Sequence, residues 1–179
     1  VACGPGVLAC AFAEVAQQVT GIEITPTMLE QARKLQSEKG LANSTWRQGD
    51  VTQLPFDDGA FSLVVSRYAF HHVLEPRVVL EEMARVCASG GRVVVIDSAP
   101  APRQAEAFNA AERMRDPSHT RALTPEALKQ LALGVGLKPQ RELIYAWEVT
   151  VASLLERSFP LAGDAQKLPE LYRSDVGVD

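Results

Sequence analysis

The opening turn VACGPG and the carboxylate of Glu23, 17 residues after Gly6, stand in the order and spacing that a nucleoside ligand requires. Ala2, Gly4 and Gly6 lack the bulk that would keep a ligand from the backbone. The amides opening the next helix add donors at the positive end of its dipole. Glu23 follows the apolar run VTGI, and an acid at such a strand end can accept both hydroxyls of a ribose. Asp50 closes a further short strand; its carboxylate only accepts hydrogen bonds, which suits the exocyclic amine of an adenine lying against Val51 and Ile24. The plainer alternatives are a turn chosen for its backbone angles and solvated carboxylates. GPGVLA also fits the GxGxxA turn of dinucleotide-binding proteins, a pattern that makes no demand for an acid at Asp50.

Three imidazoles, His71, His72 and His119, fall in segments expected at the end of the sheet where the chain order reverses. Histidine is the side chain best matched to proton transfer near neutral pH, which makes His72 and His119 candidates for a catalytic base. His71, Arg115 and Asp97 are candidates for substrate contacts. The loop RDPSHTR is expected to close as a lid and bring His119 or Arg115 to the substrate. The alternatives are that one of His71 and His72 packs on the following helix, and that Asp116, Ser118 and Thr120 satisfy turn amides.

These residues need a scaffold of alternating elements. Periodicity predicts helices over 7–18, 26–39 and 77–87, with strands over 19–24, 45–48, 61–66 and 92–97. Thr25 and Pro26 open the second helix and Gly40 follows it; Asp57-Asp58-Gly59 reads as a turn. Strands joined by helices of this length form parallel crossovers, so the expected fold is α/β with a doubly wound, mostly parallel sheet. From Pro100 onward the expectation is a helix over 103–114, a helix opened by Thr124-Pro125-Glu126, and an extended stretch over 140–149. Leu143, Ile144, Tyr145, Trp147, Leu154, Leu155 and Phe159 are expected in the core, with Tyr145 and Trp147 alternating on one strand face.

A chain of 179 residues with 46% apolar composition suits one domain. Residues 1–99 would form the cofactor half and 100–179 the substrate half. The formal charge of −4 and the absence of basic runs with interleaved aromatics argue against nucleic acid and for a small-molecule partner. VLACAFAEVA lacks the basic region of a secretory signal, and no later apolar run approaches membrane-spanning length. Cys3, Cys10 and Cys87 lack metal-ligand or redox spacing, so no metal is expected and a cytoplasmic location is. The oligomeric state is left open, with a homodimer as one candidate.

From Val1 to about Lys138 the chain resembles the class I S-adenosylmethionine-dependent methyltransferases, in particular the small-molecule branch similar to the ubiquinone/menaquinone-biosynthesis enzymes. The resemblance is carried by VACGPG, GIEITPTMLEQAR, GDVTQLPFDDGAFSLVVSRYAFHHV, RVCASGGRVVVIDSAP and RDPSHTR. It implies transfer of a methyl group from S-adenosylmethionine to an O, N or C nucleophile. It sets the backbone of Ala2, Cys3 and Gly4 against the methionine part of the cofactor and counts Gly6 among the cofactor-binding residues. Glu23 falls on the ribose, Ile24 and Met28 beside the adenine, Asp50 and Val51 on its amine and ring edge, and Arg67 at the methionine end. The family carries an acidic residue before the position of Val1 and a closing antiparallel hairpin. The expectation is therefore a fragment lacking most of the first strand and, at DVGVD, the last. An NAD(P)-dependent oxidoreductase and a non-catalytic cofactor-binding protein are the competing readings.

Overall fold

The computed structural model describes residues 1–146 and 149–175, in two compact units. The first comprises Val1–Phe70 and Glu75–Asp97; the second comprises His71–Leu74 and the chain from Ser98 onward.

In the first unit, strands β1 (Val19–Glu23), β2 (Ser44–Gln48), β3 (Phe61–Arg67) and β4 (Cys87–Ile96) alternate with helices α1 (Val7–Ala13), α2 (Pro26–Glu38) and α3 (Pro76–Val86). The α/β class and the parallel pairing are as expected, but the ladder is two parallel pairs, β1 with β2 and β3 with β4. Val1–Cys3 lies between the pairs and bonds once to each: Val1 N donates to Val65 O at 2.7 Å, and Cys3 N–H to Ile22 O at 3.0 Å. Beside it a cleft of about 290 Å³ is lined by Val19–Ile22, Ser62–Val65, Leu8 and Phe12. The chain leaves Val1–Cys3 toward β1 and β2 on one side and later builds β3 and β4 on the other. The reversal of strand order therefore falls at the turn that follows Cys3.

Sequence accounts for the helices that hold this arrangement. Pro26 starts α2, Gly40 takes φ 64° just beyond it, and its buried face is Leu29 and Ala32, three residues apart. Along α3, Val79, Leu80, Met83 and Val86 make a fully buried stripe, each side chain worth roughly 2 kcal/mol in area removed from water. Arg85 donates to Glu82, to Asp58 and to the carbonyls of Leu54 and Phe56, which fastens the loop that follows Asp50 onto α3. Within that loop Gly59 takes φ 69°, the expected turn.

The second unit contains α4 (Ala105–Arg115), α5 (Pro125–Gly134), α6 (Val151–Glu156) and α7 (Leu168–Asp175). Thr124 caps α5 by accepting from Ala127 N–H, and Thr150 caps α6 by accepting from Ser153 N–H. The expected strand over 140–149 does not form among the described residues; Leu143, Ile144, Tyr145 and Phe159 are 60–77% exposed, not core. An extended segment becomes a strand only when a neighbour forms a ladder with its backbone groups, and no strand pairing among the described residues includes this segment. Trp147 and Val176–Asp179 lie outside the described residues, so the alternation of Trp147 with Tyr145 and the final strand at DVGVD fall there too. No helix among the described residues is long and apolar enough to cross a membrane.

Candidate functional site

At the reversal point, Gly6 N–H donates to Cys3 O at 3.0 Å and Cys10 N–H to Gly6 O at 2.8 Å, closing the turn onto α1. Ala2 (φ 48°) and Tyr68 (φ 53°) are non-glycine residues in the left-handed region, each at a cost of roughly 1–2 kcal/mol. Both line one cavity of about 240 Å³, together with Cys3, Gly4, Arg67 and others. Backbone strain of this kind clusters at active sites and ligand clamps, which makes this cavity the candidate site. The Arg67 guanidinium stands 4.6 Å from the centre of the Tyr68 ring and supplies the cavity with a cation. Burial pushes the Cys3 thiol up to about 11, so it stays protonated at the wall.

The two glycines of the turn differ in what they serve. A Cβ on Gly4 would meet nothing within 4 Å, so its missing side chain leaves open space for a ligand. A Cβ on Gly6 would stand 2.7 Å from the Trp46 ring and 2.8 Å from Ala32. Gly6, grouped from sequence with the ligand contacts, is thus small because Trp46 occupies the room, and the indole is pinned there by its N–H bond to Gln36 at 2.6 Å. Gly6→Ala is expected to lower stability by about 3 kcal/mol in denaturant titration, from overpacking and left-handed strain. Gly4→Ala is expected to cost about 1 kcal/mol while weakening ligand binding. Equal stability losses at both positions would contradict this division.

Glu23 is 8% exposed at the end of β1. Its Oε2 accepts from Gly4 N–H at 3.0 Å, and its Oε1 from the amides of Ile24 and Thr25, each at 3.1 Å. Three of about four carboxylate lone-pair positions are therefore taken by the backbone, which leaves one for a ligand hydroxyl where the sequence reading had two. Beyond it, Ile24 is 60% and Met28 37% exposed, apolar surface on the β1–α2 connection and the first turn of α2. Asp50 is exposed, and the Thr52 amide (2.8 Å) and hydroxyl hold its carboxyl below the usual range, so it presents an acceptor. Val51 beside it is half-buried. A cavity with a cation, an acceptor reserved by three amides, exposed apolar side chains and a second acceptor form a donor and acceptor set that fits S-adenosylmethionine.

In the second unit the loop after α4 is tied to the His71–Val73 turn. Thr120 N–H and Arg121 N–H both donate to His71 O, and the Thr120 hydroxyl bridges His71 O (2.8 Å) and Val73 O (3.0 Å). Any movement of this loop away from the turn would have to break these bonds. His119 is 3% exposed, and its Nε2 lies 2.7 Å from Asn109 Oδ1. Asn109 donates through Nδ2 to Ala105 O and Ala122 O and accepts through Oδ1 from Ala122 N–H. That pattern assigns the amide, so His119 Nε2 carries the proton and Nδ1 is a buried lone pair without a partner. Burial, with His71 stacked at 5.4 Å, lowers its pKa to about 4. Arg115 is committed to Glu112 by three contacts of 2.6–3.0 Å and to Arg157 O at 3.1 Å. Asp97, half-buried, directly follows β4.

The sequence reading missed two participants. Tyr68 gave no signal, since its backbone strain is a tertiary outcome. Asn109 could have been noticed as the amide inside AFNAA, where a polar residue on an apolar helix face needs partners.

A parallel α/β unit with its cavity at the reversal of strand order, one open glycine and an acid ending the next strand is a cofactor-binding unit of the Rossmann-like class. Residues 1–95 match the family described as methyltransferase domain. The chain belongs to that family, whose fold and cofactor are those of the class I S-adenosylmethionine-dependent methyltransferases. An uncharacterized methyltransferase, YcgJ of Bacillus subtilis, is 38% identical over 123 residues, 68% of this chain and 49% of the relative. A demethylmenaquinone methyltransferase of Thermus thermophilus is 36% identical over 107 residues, 59% of this chain and 48% of the relative. The chain thus spans about half the length of the curated relatives it matches. The crystal structure of YcgJ superposes with a TM-score of 0.87 at 30% identity, covering 93% of this chain and 72% of that one. That of a putative methyltransferase from Bacillus halodurans gives 0.87 at 27%, covering 97% and 79%.

Proposed function

We propose that this chain transfers a methyl group from S-adenosylmethionine to a small-molecule acceptor, with residues 1–99 holding the cofactor and 100–179 serving the acceptor. The observation that carries the reading is the cavity walled by Ala2, Cys3, Gly4 and Arg67, with Glu23 fastened to the Gly4 amide. The cofactor supplies an activated methyl on a sulfonium, so the protein's work is to align, exclude water and move a proton. Arg67 pairs with the carboxylate of the methionine part, Glu23 takes one ribose hydroxyl, and Ile24, Met28 and Val51 border the adenine. His72 is favoured over His119 as base: it is half-buried where His119 is enclosed, and a group with a pKa near 4 is a weak base at neutral pH. His71 and Asp97 stay as proposed acceptor contacts, whereas the Glu112 pair turns Arg115 toward a structural role. Resemblance to a demethylmenaquinone methyltransferase supports a small-molecule acceptor.

Thermal shift with S-adenosylmethionine and, separately, NAD tests the cofactor. A ligand at 100 times its Kd stabilises by about 2.7 kcal/mol, and a shift with NAD alone would favour the oxidoreductase. Mass spectrometry of metabolite extracts for gain of one methyl tests turnover; tight cofactor binding without turnover would favour the non-catalytic reading. Asp50→Ala is expected to weaken binding and to narrow the preference for the cofactor over its 6-oxo analogue. A preference as wide as before would place adenine selection elsewhere.

A further inference from the structure

The second unit holds a chain of three polar groups that links the RDPSHTR loop to the His71–His72 turn. Ser118 Oγ lies 2.6 Å from Asp116 Oδ1 and 3.0 Å from His72 Nδ1. Burial works against the charge on Asp116, but the Ser118 hydroxyl and amide, with His72 nearby, outweigh it and hold the carboxyl below its usual range. An ionised carboxylate only accepts, so the single hydroxyl proton of Ser118 is spent on Asp116. Toward His72 the same oxygen can then only accept, and Nδ1 of His72 must be the donor. The neutral ring therefore carries its proton on Nδ1 and a lone pair on Nε2, which has no hydrogen-bond partner among the described residues. His119, 6.4 Å away, has the opposite arrangement, with the proton on Nε2. The groups around the His72 ring are thus Asp116 through Ser118, His71 at 4.2 Å and His119.

We propose that Asp116 and Ser118 are positioning residues that set the tautomer of His72, making Nε2 the proton acceptor for a substrate whose attacking atom still bears its proton. The inference rests on the methyl-transfer reading for its reaction and on the hydrogen-bond chain for its geometry. In the step, the acceptor's O–H bond breaks, its proton goes to Nε2, and the electron pair left on the oxygen forms the new bond to the methyl, which S-adenosylmethionine, when bound, would supply as its sulfur–methyl bond breaks and the pair leaves on sulfur as a neutral thioether. The imidazolium so formed donates through Nδ1 to Ser118, whose own proton bonds the Asp116 charge. His72 later returns its proton to water. A substrate that attacks as a thiolate or tertiary amine has no use for this relay; the class implied is an acceptor whose attacking atom still bears a proton, with a hydroxyl as the simplest case.

Long-range proton–nitrogen NMR of the imidazoles, on the whole chain at neutral pH, tests the assignment. His72 is expected in the Nδ1–H form and His119 in the Nε2–H form. Ser118→Ala should move His72 toward Nε2–H, and Ser118→Thr should restore it. A wild-type His72 already in the Nε2–H form, or one unmoved by Ser118→Ala, overturns the relay. With S-adenosylhomocysteine present, phenol as a hydroxyl probe is expected to shift the Nε2 resonance of His72; no shift overturns the acceptor side. Calorimetry with S-adenosylmethionine separates the two readings. Loss of cofactor binding in the wild-type chain would fail the methyl-transfer reading and leave the tautomer result standing, whereas Ser118→Ala should bind the cofactor unchanged.

Discussion

Glu23→Ala is expected to lower affinity for S-adenosylmethionine at least tenfold and to destabilise the first unit in the same stroke. The substitution removes the acceptor for the amides of Gly4, Ile24 and Thr25. An orphaned donor costs roughly 1–3 kcal/mol where water cannot reach it, so a stability loss of about 3 kcal/mol is expected in denaturant titration. The ligand hydroxyl loses a charge-assisted bond worth roughly 1.5–3 kcal/mol, and a tenfold change in affinity needs about 1.4 kcal/mol. Glu23→Gln separates the effects. Its carbonyl oxygen can still accept from Ile24 and Thr25, while its amino group confronts the Gly4 amide donor with another donor. Stability should then survive in large part while calorimetric affinity falls as far as in the alanine variant. A folded glutamine variant with unchanged affinity would remove Glu23 from the cofactor site.

Acid is expected to destabilise the second unit through His119. Its pKa is about 4 in the folded chain against a usual 6.5, because burial and neighbouring His71 oppose the charged ring more than Glu112 favours it. The unfolded chain therefore binds a proton between these two values and the folded chain does not. Stability is full above about pH 6.5 and falls with pH until about pH 4, where both states are protonated. At about 1.4 kcal/mol per pKa unit, the loss reaches about 3 kcal/mol. Denaturant midpoints between pH 7.5 and pH 4 check this, and His119→Gln, which does not titrate, should remove most of that slope. An unchanged slope in the glutamine variant would show that other groups govern acid unfolding.

How much of this was legible depended on whether a residue's role was local. The parallel pairs, α2 with its Thr25-Pro26 opening, and the turn at Gly59 follow from periodicity and backbone preference, which each segment carries within itself. The acid at Glu23 and the open Gly4 were readable too, because strand ends and turns occupy known places in a doubly wound sheet. Gly4 and Gly6 look alike on paper. Only packing divides them, since Trp46 reaches Gly6 from a strand 40 residues away.

The second unit marks the other limit. From sequence, His72 and His119 were equal candidates for the base with His71 a candidate substrate contact, and the segment around Tyr145 was a strand by its alternation. By itself the sequence determined the α/β class, the family, the cofactor and the order of the elements that carry it, because each of these rests on patterns a few residues long. The tertiary structure decided which carboxylate lone pair stays open on Glu23, which glycine faces the cavity, and which nitrogen of His72 and of His119 holds the proton. Those depend on partners distant in the chain: the Gly4 amide for Glu23, Trp46 for Gly6, Ser118 for His72 and Asn109 for His119. A hydrogen-bond donor or a packed ring acts through distance in space, and distance in space is what a linear pattern does not encode.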